Sequence, residues 1–395
     1  MKNMITCIAL AHAAICAGQI PVLTSTLALT CDETWGTVEI ADAATNAAGD
    51  AFITGSFTGT AHFGPWTLAS GDNSDVFIAE LDHTGQWIWA VRVGSADDAD
   101  QGLAIACDGA GGIYAASELS SINLTLNTTP LTLTTQRGLC VLKLDETGAL
   151  QWVSESDLPA IGDCRIAASA SGVSYVAGDR NAGGGPMANF GTISLPTGWD
   201  TDTFIAALDN TGNWMWAKAF ISMGGAQEID MSGLRLDTGG GPILCGFVQG
   251  TIADIDGVQI VANPHNDPAF ALLPYVARWN TQGDLQWLAT MNSAHSGGFE
   301  IEAMAMDPAG NIKVIGNALD TVDLGGHMVI DPGFGDQGPC VAVLDPNGVW
   351  TDAASDATVK TTAPTEADEV NSSLCHGFIF DMCGVEVDAD HHGVG

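Results

Sequence analysis

Positive charge is scarce in this sequence. Only 11 Lys and Arg residues stand against 47 Asp and Glu residues, which leaves a formal net charge of −36 at pH 7. A surface this acidic repels the phosphates of DNA and RNA, so we expect no nucleic acid among its partners. The same surface favours solubility and is compatible with divalent cations or cationic partners.

Long apolar runs and heptads are also missing. After residue 31 no stretch is apolar over the roughly 20 residues that a membrane-spanning helix needs, so we expect no membrane span. No long heptad pattern occurs, which argues against a coiled coil. The chain does contain 48 Gly and 46% hydrophobic residues, against 15% charged residues. This composition is typical of strands joined by tight turns, and 395 residues suffice for a large core.

One stretch recurs five times and organises the chain. The first copy is LDHTGQWIWA, residues 81–90, and the later copies begin at Leu144, Leu208, Trp279 and Leu344. Each copy has an apolar run, a polar turn and a second run that is usually rich in aromatics, which predicts strand, turn and strand. The glycines of successive turns lie 63 to 71 residues apart. Recurrence at one period predicts a repeat architecture.

The turn of each copy carries Asp or Asn, followed three residues later by Gly. The side-chain oxygen can accept backbone N–H groups of its own loop, and Gly supplies the positive φ that closes the turn. The pairs are Asp82 and Gly85, Asp145 and Gly148, Asp209 and Gly212, Asn280 and Gly283, and Asp345 and Gly348. A catalytic site needs unlike residues that converge, so we interpret these repeated residues as structural.

A second hairpin precedes each of these copies. Its turn contains a glycine at the same spacing in every repeat, and the apolar strand that follows closes on Gly or Ser. The turn glycines are Gly49, Gly111, Gly172, Gly240 and Gly310. Two hairpins make four strands per repeat. The repeats cover about residues 37–92, 101–155, 163–220, 231–290 and 300–352.

A four-stranded unit of this kind cannot bury both of its faces alone, whereas sheets packed radially cover one another. We therefore predict an all-β fold, a five-bladed β-propeller of four-stranded antiparallel blades over residues 37–352. A Trp late in each second hairpin is expected to pack against the next blade: Trp89, Trp152, Trp216 and Trp287. In the fifth repeat Trp350 is shifted by two positions and Asp352 takes its place. The last blade is therefore expected to be irregular or completed by another segment.

The combined pattern resembles the repeats of bacterial exported β-propeller proteins. The residues that carry the resemblance are D-x-x-G-x-x-Y-x-x-G, then F-G, then D-x-F-I-A-x-L-D-x-x-G-x-W-x-W-A. These repeats are described as seven-bladed-type and are distantly similar to quinoprotein-like blades. The resemblance covers about residues 37–352 and implies an exported propeller. It brings no catalytic residue set, and the chain lacks the Arg and Lys constellation that a quinone carboxylate cofactor would need.

The N-terminus has the pattern of an export signal. An apolar run over residues 4–16 follows Lys2, and small residues follow that run, so residues 1–31 are interpreted as a signal peptide and linker. Cys31 is an alternative lipid-anchor position. We therefore expect the protein to be secreted, extracellular or attached to the cell surface.

The C-terminus matches no repeat. Residues 353–395 are predicted to form an acidic linker and an irregular tail. The cysteines and histidines of the tail could hold Zn²⁺, but their spacing fits no standard finger, and a disulfide between Cys375 and Cys383 is the preferred interpretation. Within the repeats, Cys140 and Cys340 occupy a position where other repeats have Phe or Tyr, so we expect them to be packed thiols.

Candidate binding residues lie on the first strands, which would line a central channel. They are Glu39, Asp42, Arg165, Arg235 and Glu302, with Glu300 beside the last. Paired carboxylates could serve a glycosidase there, although ordinary strand-end acids are the simpler interpretation. Asp-rich connectors at 70–75, 197–202 and 263–268 could bind Ca²⁺ weakly, without the spacing of an EF-hand.

The sequence favours a non-enzymatic propeller that acts as a binding or scaffolding module at the cell surface or outside the cell. Its partner would be a protein or a glycan. Two alternatives stay open. One is a secreted carbohydrate-active enzyme that uses the channel carboxylates. The other is a structural subunit of a surface layer or fibre, in which divalent ions bridge the acidic coat. No catalytic or metal-ligating residue is assigned, and Ca²⁺ is the only cofactor left open.

Overall fold

The computed structural model describes most of the repeat region and little of either end. The described residues are 7–8, 27–28, 30–31, 36–96, 98–135, 137–158, 161–181, 188–196, 201–223, 228–249, 252–261, 272–290, 298–319, 321–325, 327–330 and 337–355. No helix occurs among them, and so none that could span a membrane. Most of the predicted signal peptide, the tail beyond residue 355 and the Asp-rich connector at 263–268 lie outside the described residues.

The described chain is all-β, as predicted. Its strands are β1 (Cys7–Ile8), β2 (Leu27–Ala28), β3 (Thr30–Cys31), β4 (Val38–Thr45), β5 (Ala51–Phe57), β6 (Thr60–Phe63), β7 (Trp66–Ala69), β8 (Asp75–Leu81), β9 (Trp87–Gly94), β10 (Gln101–Cys107), β11 (Ile113–Leu119), β12 (Asn123–Leu126), β13 (Thr129–Thr132), β14 (Gly138–Leu144), β15 (Leu150–Glu155), β16 (Ile161–Ala168), β17 (Ser174–Asn181), β18 (Ala188–Phe190), β19 (Ile193–Leu195), β20 (Thr201–Leu208), β21 (Trp214–Met223), β22 (Glu228–Leu236), β23 (Pro242–Gln249), β24 (Ile252–Ile255), β25 (Val258–Val261), β26 (Leu272–Trp279), β27 (Leu285–Thr290), β28 (Gly298–Met306), β29 (Ile312–Leu319), β30 (Thr321–Leu324), β31 (His327–Ile330), β32 (Gln337–Leu344) and β33 (Trp350–Ser355).

Each repeat forms one antiparallel sheet of four strands in the order of the chain. Sheet 1 is β4-β5-β8-β9, sheet 2 is β10-β11-β14-β15, sheet 3 is β16-β17-β20-β21, sheet 4 is β22-β23-β26-β27 and sheet 5 is β28-β29-β32-β33. The two hairpins predicted in every repeat are therefore present. A short additional hairpin lies between the second and third strands: β6-β7, β12-β13, β18-β19, β24-β25 or β30-β31.

The turns are built by side chains that accept backbone N–H groups. Oδ1 of Asp82 accepts from the N–H of Thr84 at 2.9 Å and of Gln86 at 2.8 Å. Gly85, at φ +85°, donates its own N–H to the Asp82 carbonyl at 2.9 Å. The same three bonds recur in the turns of Asp145, Asp209, Asn280 and Asp345. These side chains form hydrogen bonds within their own turns, which supports a structural role for them.

The first strand of every sheet contains a register shift beside the residue that pairs with the closing Gly or Ser of the second strand. In four sheets the shift follows that residue, as between Ile40 and Asp42 of sheet 1, whereas in sheet 3 it precedes it, between Ile161 and Cys164. The distorted strand presses a backbone carbonyl against the second strand: a methyl group on Gly55 would overlap the Glu39 carbonyl, and one on Gly246 would overlap that of Asp230. This close approach explains why the second strand usually carries Gly at this point.

The additional hairpins alternate between two forms. In repeats 1, 3 and 5 the hairpin turn has a glycine that packs against a Trp at the start of the fourth strand. The pairs are Gly64 with Trp87, Gly191 with Trp214, and Gly325 with Trp350. In repeats 2 and 4 the hairpin instead reaches back and extends the fourth strand of the preceding repeat, as β12 does on β9 and β24 on β21. Trp350 is therefore the counterpart of Trp87 and Trp214.

Consecutive sheets pack through one repeated contact. Trp89 of sheet 1 lies on the turn glycine of sheet 2, where a methyl group on Gly148 would stand 2.9 Å from its Cδ2. The indole N–H of Trp89 donates to the carbonyl of Glu146 at 3.1 Å. Trp152, Trp216 and Trp287 repeat both contacts on Gly212, Gly283 and Gly348. First strands also lie side by side, β4 with β10, β10 with β16, β16 with β22 and β22 with β28, whereas no comparable packing joins β28 to β4.

Candidate functional site

Each first strand has one residue at an equivalent position beside its register shift. These five residues are Glu39, Gln101, Asp163, Asp230 and Glu300, which stand just before the residue paired with the Gly or Ser of the second strand. Four of the five are acids, and we call them with Gln101 the acid row. Because the first strands of consecutive sheets lie side by side, the row runs across the sheets at one level.

Between sheets 3 and 5 the acid row brings several carboxyl groups close together. Burial, and then repulsion from Glu228, Asp163 and Glu300, raises the pKa of Asp230 to about 7. Burial and the charge of Glu302 also raise the pKa of Glu300. Asp230 therefore lies among at least three other carboxyl groups, and it belongs to none of the four Lys or Arg ion pairs of the described residues.

Asp179 adds a further acid beside the row, from the second strand of sheet 3. Its side chain is almost fully buried and its Oδ1 accepts a hydrogen bond from Thr203 Oγ1 at 2.7 Å. Burial is the main cause that raises the pKa of Asp179 to about 8, and repulsion from Asp230 and Asp163 adds to it. Two carboxyl groups of one region thus hold protons near neutral pH.

A second group of charged residues lies further along the first strands, towards the first hairpin turns. It consists of one acid, Asp42, and two arginines, Arg165 and Arg235. Asp42 Oδ2 accepts the backbone N–H of Ile105 at 2.9 Å, which ties sheet 1 to sheet 2. Burial raises the pKa of Asp42, while the charges of Arg165 and Arg235 act in the opposite direction. The two guanidinium groups donate to the carbonyls of their preceding residues, at 2.8 and 2.9 Å. Three of the five predicted channel residues are therefore within electrostatic reach of one another.

The other two predicted channel residues lie with the acid row. Glu39 is its exposed member in sheet 1, and Glu302 is exposed beside Glu300, where it accepts a bond from Asn317 Nδ2 at 3.3 Å. Sequence reasoning missed Asp163, Asp179, Glu228 and Asp230. Three of these stand on first strands, and the signal that would have found them is alignment on the closing Gly of each first hairpin.

The described residues contain no group of three His, Cys, Asp or Glu side chains arranged to hold a metal ion. Of the three connectors considered for Ca²⁺, only 70–75 is fully described. Its Asp75 is buried, and Oδ2 forms an ion pair with Arg92 Nε at 2.5 Å, so one of the two carboxylate oxygens is already occupied, while Oδ1 is buried without a hydrogen-bond partner among the described residues. Cys140, Cys164, Cys245 and Cys340 are buried free thiols, and burial raises the pKa of each, which suits packing and not nucleophilic chemistry.

A shallow cleft of about 350 Å³ lies among the turns of sheets 2 and 3, at the strand ends that are opposite to the acid row. Asp108 is the buried acid of this cleft, and its carboxylate accepts from the N–H groups of Ala110 and Gly112 and from the hydroxyl of Tyr114. Lys143 Nζ stands 4.9 Å from the centre of the Tyr114 ring. These contacts already engage the polar groups of the cleft, so we interpret the cleft as a gap between small turn residues and not as a catalytic site.

Comparison with protein families and with curated proteins returned no match. Among solved structures, the chain is similar to a protein of unknown function from Bacteroides caccae, at 10% identity and a TM-score of 0.38, over 82% of this chain and 83% of that one. It is also similar to a protein of unknown function from Dyadobacter fermentans, at 12% identity and a TM-score of 0.38, over 80% of this chain and 94% of that one. Likenesses at this level carry no argument about function, so the functional argument rests on the residues above.

Proposed function

We propose that the five sheets are blades of a β-propeller, arranged about a common axis and left open between sheet 5 and sheet 1. Two features support this arrangement. The Trp-to-Gly contact recurs at all four junctions between consecutive sheets, and the first strands lie side by side along the series. A constant junction implies a constant rotation from one sheet to the next, as in propellers and other repeat folds. The count of five blades stays a prediction.

We propose that this propeller is a non-enzymatic binding module, exported from the cell, which takes a cationic ligand on its acid row. The observation that carries the proposal is the convergence of Asp163, Asp230 and Glu300 from three consecutive first strands at one level. Like charges held together by three sheets repel one another, and a ligand with several amino or guanidinium groups relieves that repulsion. A Lys- or Arg-rich peptide segment is the ligand class that fits.

Binding of such a ligand should be coupled to proton release. The pKa of Asp230 is raised to about 7, so this carboxyl is largely protonated at pH 6 and largely ionised at pH 8. A cation favours the ionised form, and affinity should therefore rise with pH through this range, by up to about tenfold per unit on the acid side of the pKa.

The test is isothermal titration calorimetry of the full chain with an oligolysine peptide at low salt. The double variant Asp163→Asn with Asp230→Asn should lose about tenfold in affinity and most of the rise between pH 6 and 8. A matched control removes two exposed carboxylates elsewhere, Asp72→Asn with Glu146→Gln, and should stay within about twofold. An equal loss in both double variants would mean that only net charge attracts the peptide, and would refute the assigned site.

A glycosidase is the second candidate, because Asp179 and Asp230, whose pKa values are raised to about 8 and about 7, stand beside other carboxyl groups. A protonated carboxyl next to a carboxylate is the pairing that acid-catalysed glycoside hydrolysis uses. The binding module and the glycosidase differ in whether they hydrolyse a glycoside. A panel of aryl glycosides should be left uncleaved by the binding module, whereas an enzyme would cleave at least one and lose that activity in Asp179→Asn and Asp230→Asn.

A further inference from the structure

Sheet 5 has one face that no described residue covers. On its two central strands, Ile315 pairs with Val341 and Lys313 with Val343, so all four side chains lie on the same face. Val341 is 40% exposed, and the other three are partly exposed. Pro339 and Asp352 belong to the same face through their pairings with Asn317 and Val343. We call these six residues, Lys313, Ile315, Pro339, Val341, Val343 and Asp352, the open face.

The corresponding face of every other sheet is covered by the next repeat. In sheet 4 the counterparts of Ile315 and Val341 are Cys245 and Val276, and both are fully buried. In sheets 1 to 4 a Trp of the fourth strand completes this face, whereas sheet 5 has Asp352 at that place. The face keeps an apolar centre but lacks the aromatic anchor. Its partner is therefore expected to be something smaller than another whole sheet.

We propose that the open face is covered by the C-terminal segment of the same chain, residues 374–387. This segment reads LCHGFIFDMCGVEV and supplies the apolar side chains Phe378, Ile379 and Phe380. It also supplies Asp381 and Glu386, which suit Lys313 in a chain that has only 11 Lys and Arg residues. The proposal goes beyond the binding function of the acid row and does not depend on it.

The place where the described chain ends supports this occupant. Ser355 is the last residue of β33, the outermost strand of sheet 5, so the segment is tethered to the sheet that it would cover. Residues 356–373 separate Ser355 from the segment, and a random-coil chain of that length would have a root-mean-square span of about 24 Å. Four strands are only about 14 Å across, so the segment reaches every part of the open face. A short tether also gives a high effective concentration, which favours this segment over a second copy of the chain.

The test measures how fast a thiol at the open face reacts with a maleimide. Val341→Cys is made in the full chain and in a chain that stops at Ser373, and the labelled peptide is quantified by mass spectrometry. The full chain should react at least tenfold more slowly. The matched control is Val349→Cys, an exposed valine of the same sheet in its last turn, which should react equally in both chains. Buried Cys245 reports unfolding, because it should stay unlabelled throughout.

A second variant keeps the length of the chain. Phe378→Ser with Phe380→Ser should speed the labelling of Val341→Cys as much as the truncation does. Equal rates in the full and truncated chains, with Cys245 unlabelled, would overturn the proposal. Protection that depends on protein concentration in both chains would also overturn it, because a second copy of the chain would then be the occupant.

Discussion

Replacing Asp179 by Asn should stabilise the protein at high pH. The carboxyl group is 6% exposed, accepts a hydrogen bond from Thr203 Oγ1 and stands near Asp230. Asn is neutral at every pH and keeps an oxygen that can accept the Thr203 hydroxyl. The substitution therefore removes a charge that burial opposes without removing the bond that fixes the side chain.

The magnitude follows from the two protonation states. Burial raises the pKa of Asp179 to about 8 in the folded chain, whereas an unfolded Asp has a pKa of about 3.9. Between these values the folded state holds a proton that the unfolded state has released. Asp179 therefore does not destabilise the natural folded chain below about pH 4. As pH rises from about 4 to about 8, the free energy of unfolding of the natural chain falls with a slope approaching 1.4 kcal/mol per pH unit. The full range sets an upper limit of about 5.6 kcal/mol, and relaxation around the charge should reduce the measured loss to about 2 to 3 kcal/mol.

Urea unfolding at pH 4, 6 and 8 checks this prediction. The free energies of unfolding of Asp179→Asn and the natural chain should agree at pH 4 and differ by about 2 to 3 kcal/mol at pH 8, with the variant more stable. Asp72→Asn removes the same charge from an exposed position, and its free energy of unfolding should run parallel to that of the natural chain. If Asp179→Asn also runs parallel, Asp179 is ionised in the folded protein and the reasoning fails.

Three further substitutions test the packing of the sheets by urea unfolding. Gly246→Ala should cost about 3 kcal/mol because its methyl group overlaps the Asp230 carbonyl, and a cost under 1 kcal/mol would contradict the rigidity of the register shift. Arg92→Met should cost about 3 kcal/mol at pH 8 and less at pH 4, because it leaves the buried Asp75 unpaired; a pH-independent cost would show that the ion pair is not responsible. Trp216→Ala should cost about 3 to 5 kcal/mol, and a near-neutral result would remove the junction contact from the account of the fold.

The repeat and its turns could be predicted because their signals are local. An Asp and a Gly three residues apart specify a turn through bonds within that turn, and Asp82 makes those bonds whatever its surroundings. The alternation of apolar residues then fixes strand and face. The same locality explains the packed thiols, since the repeat aligns Cys140 and Cys340 with Phe77 and Phe204, and all four side chains are buried.

The alternation of the additional hairpins was only partly visible. The Phe-Gly pairs of repeats 1 and 3 stand out in the sequence, but their partner Trp residues lie more than twenty positions away. That Trp350 belongs with Trp87 and Trp214 becomes clear only when the glycine it touches is known, which is Gly325 of a Leu-Gly pair. A pattern shared by three of five repeats is weak evidence until contacts connect its two halves.

The sequence by itself determined the period, the four strands of each repeat and the turns that join them, because each of these depends on residues close together in the chain. The tertiary structure alone decided which acids meet and which sheet face stays open. Asp163, Asp230 and Glu300 lie some seventy residues apart and come together because the first strands of sheets 3, 4 and 5 lie side by side. The open face exists because no described repeat follows sheet 5, and burial depends on neighbours that a local pattern does not specify.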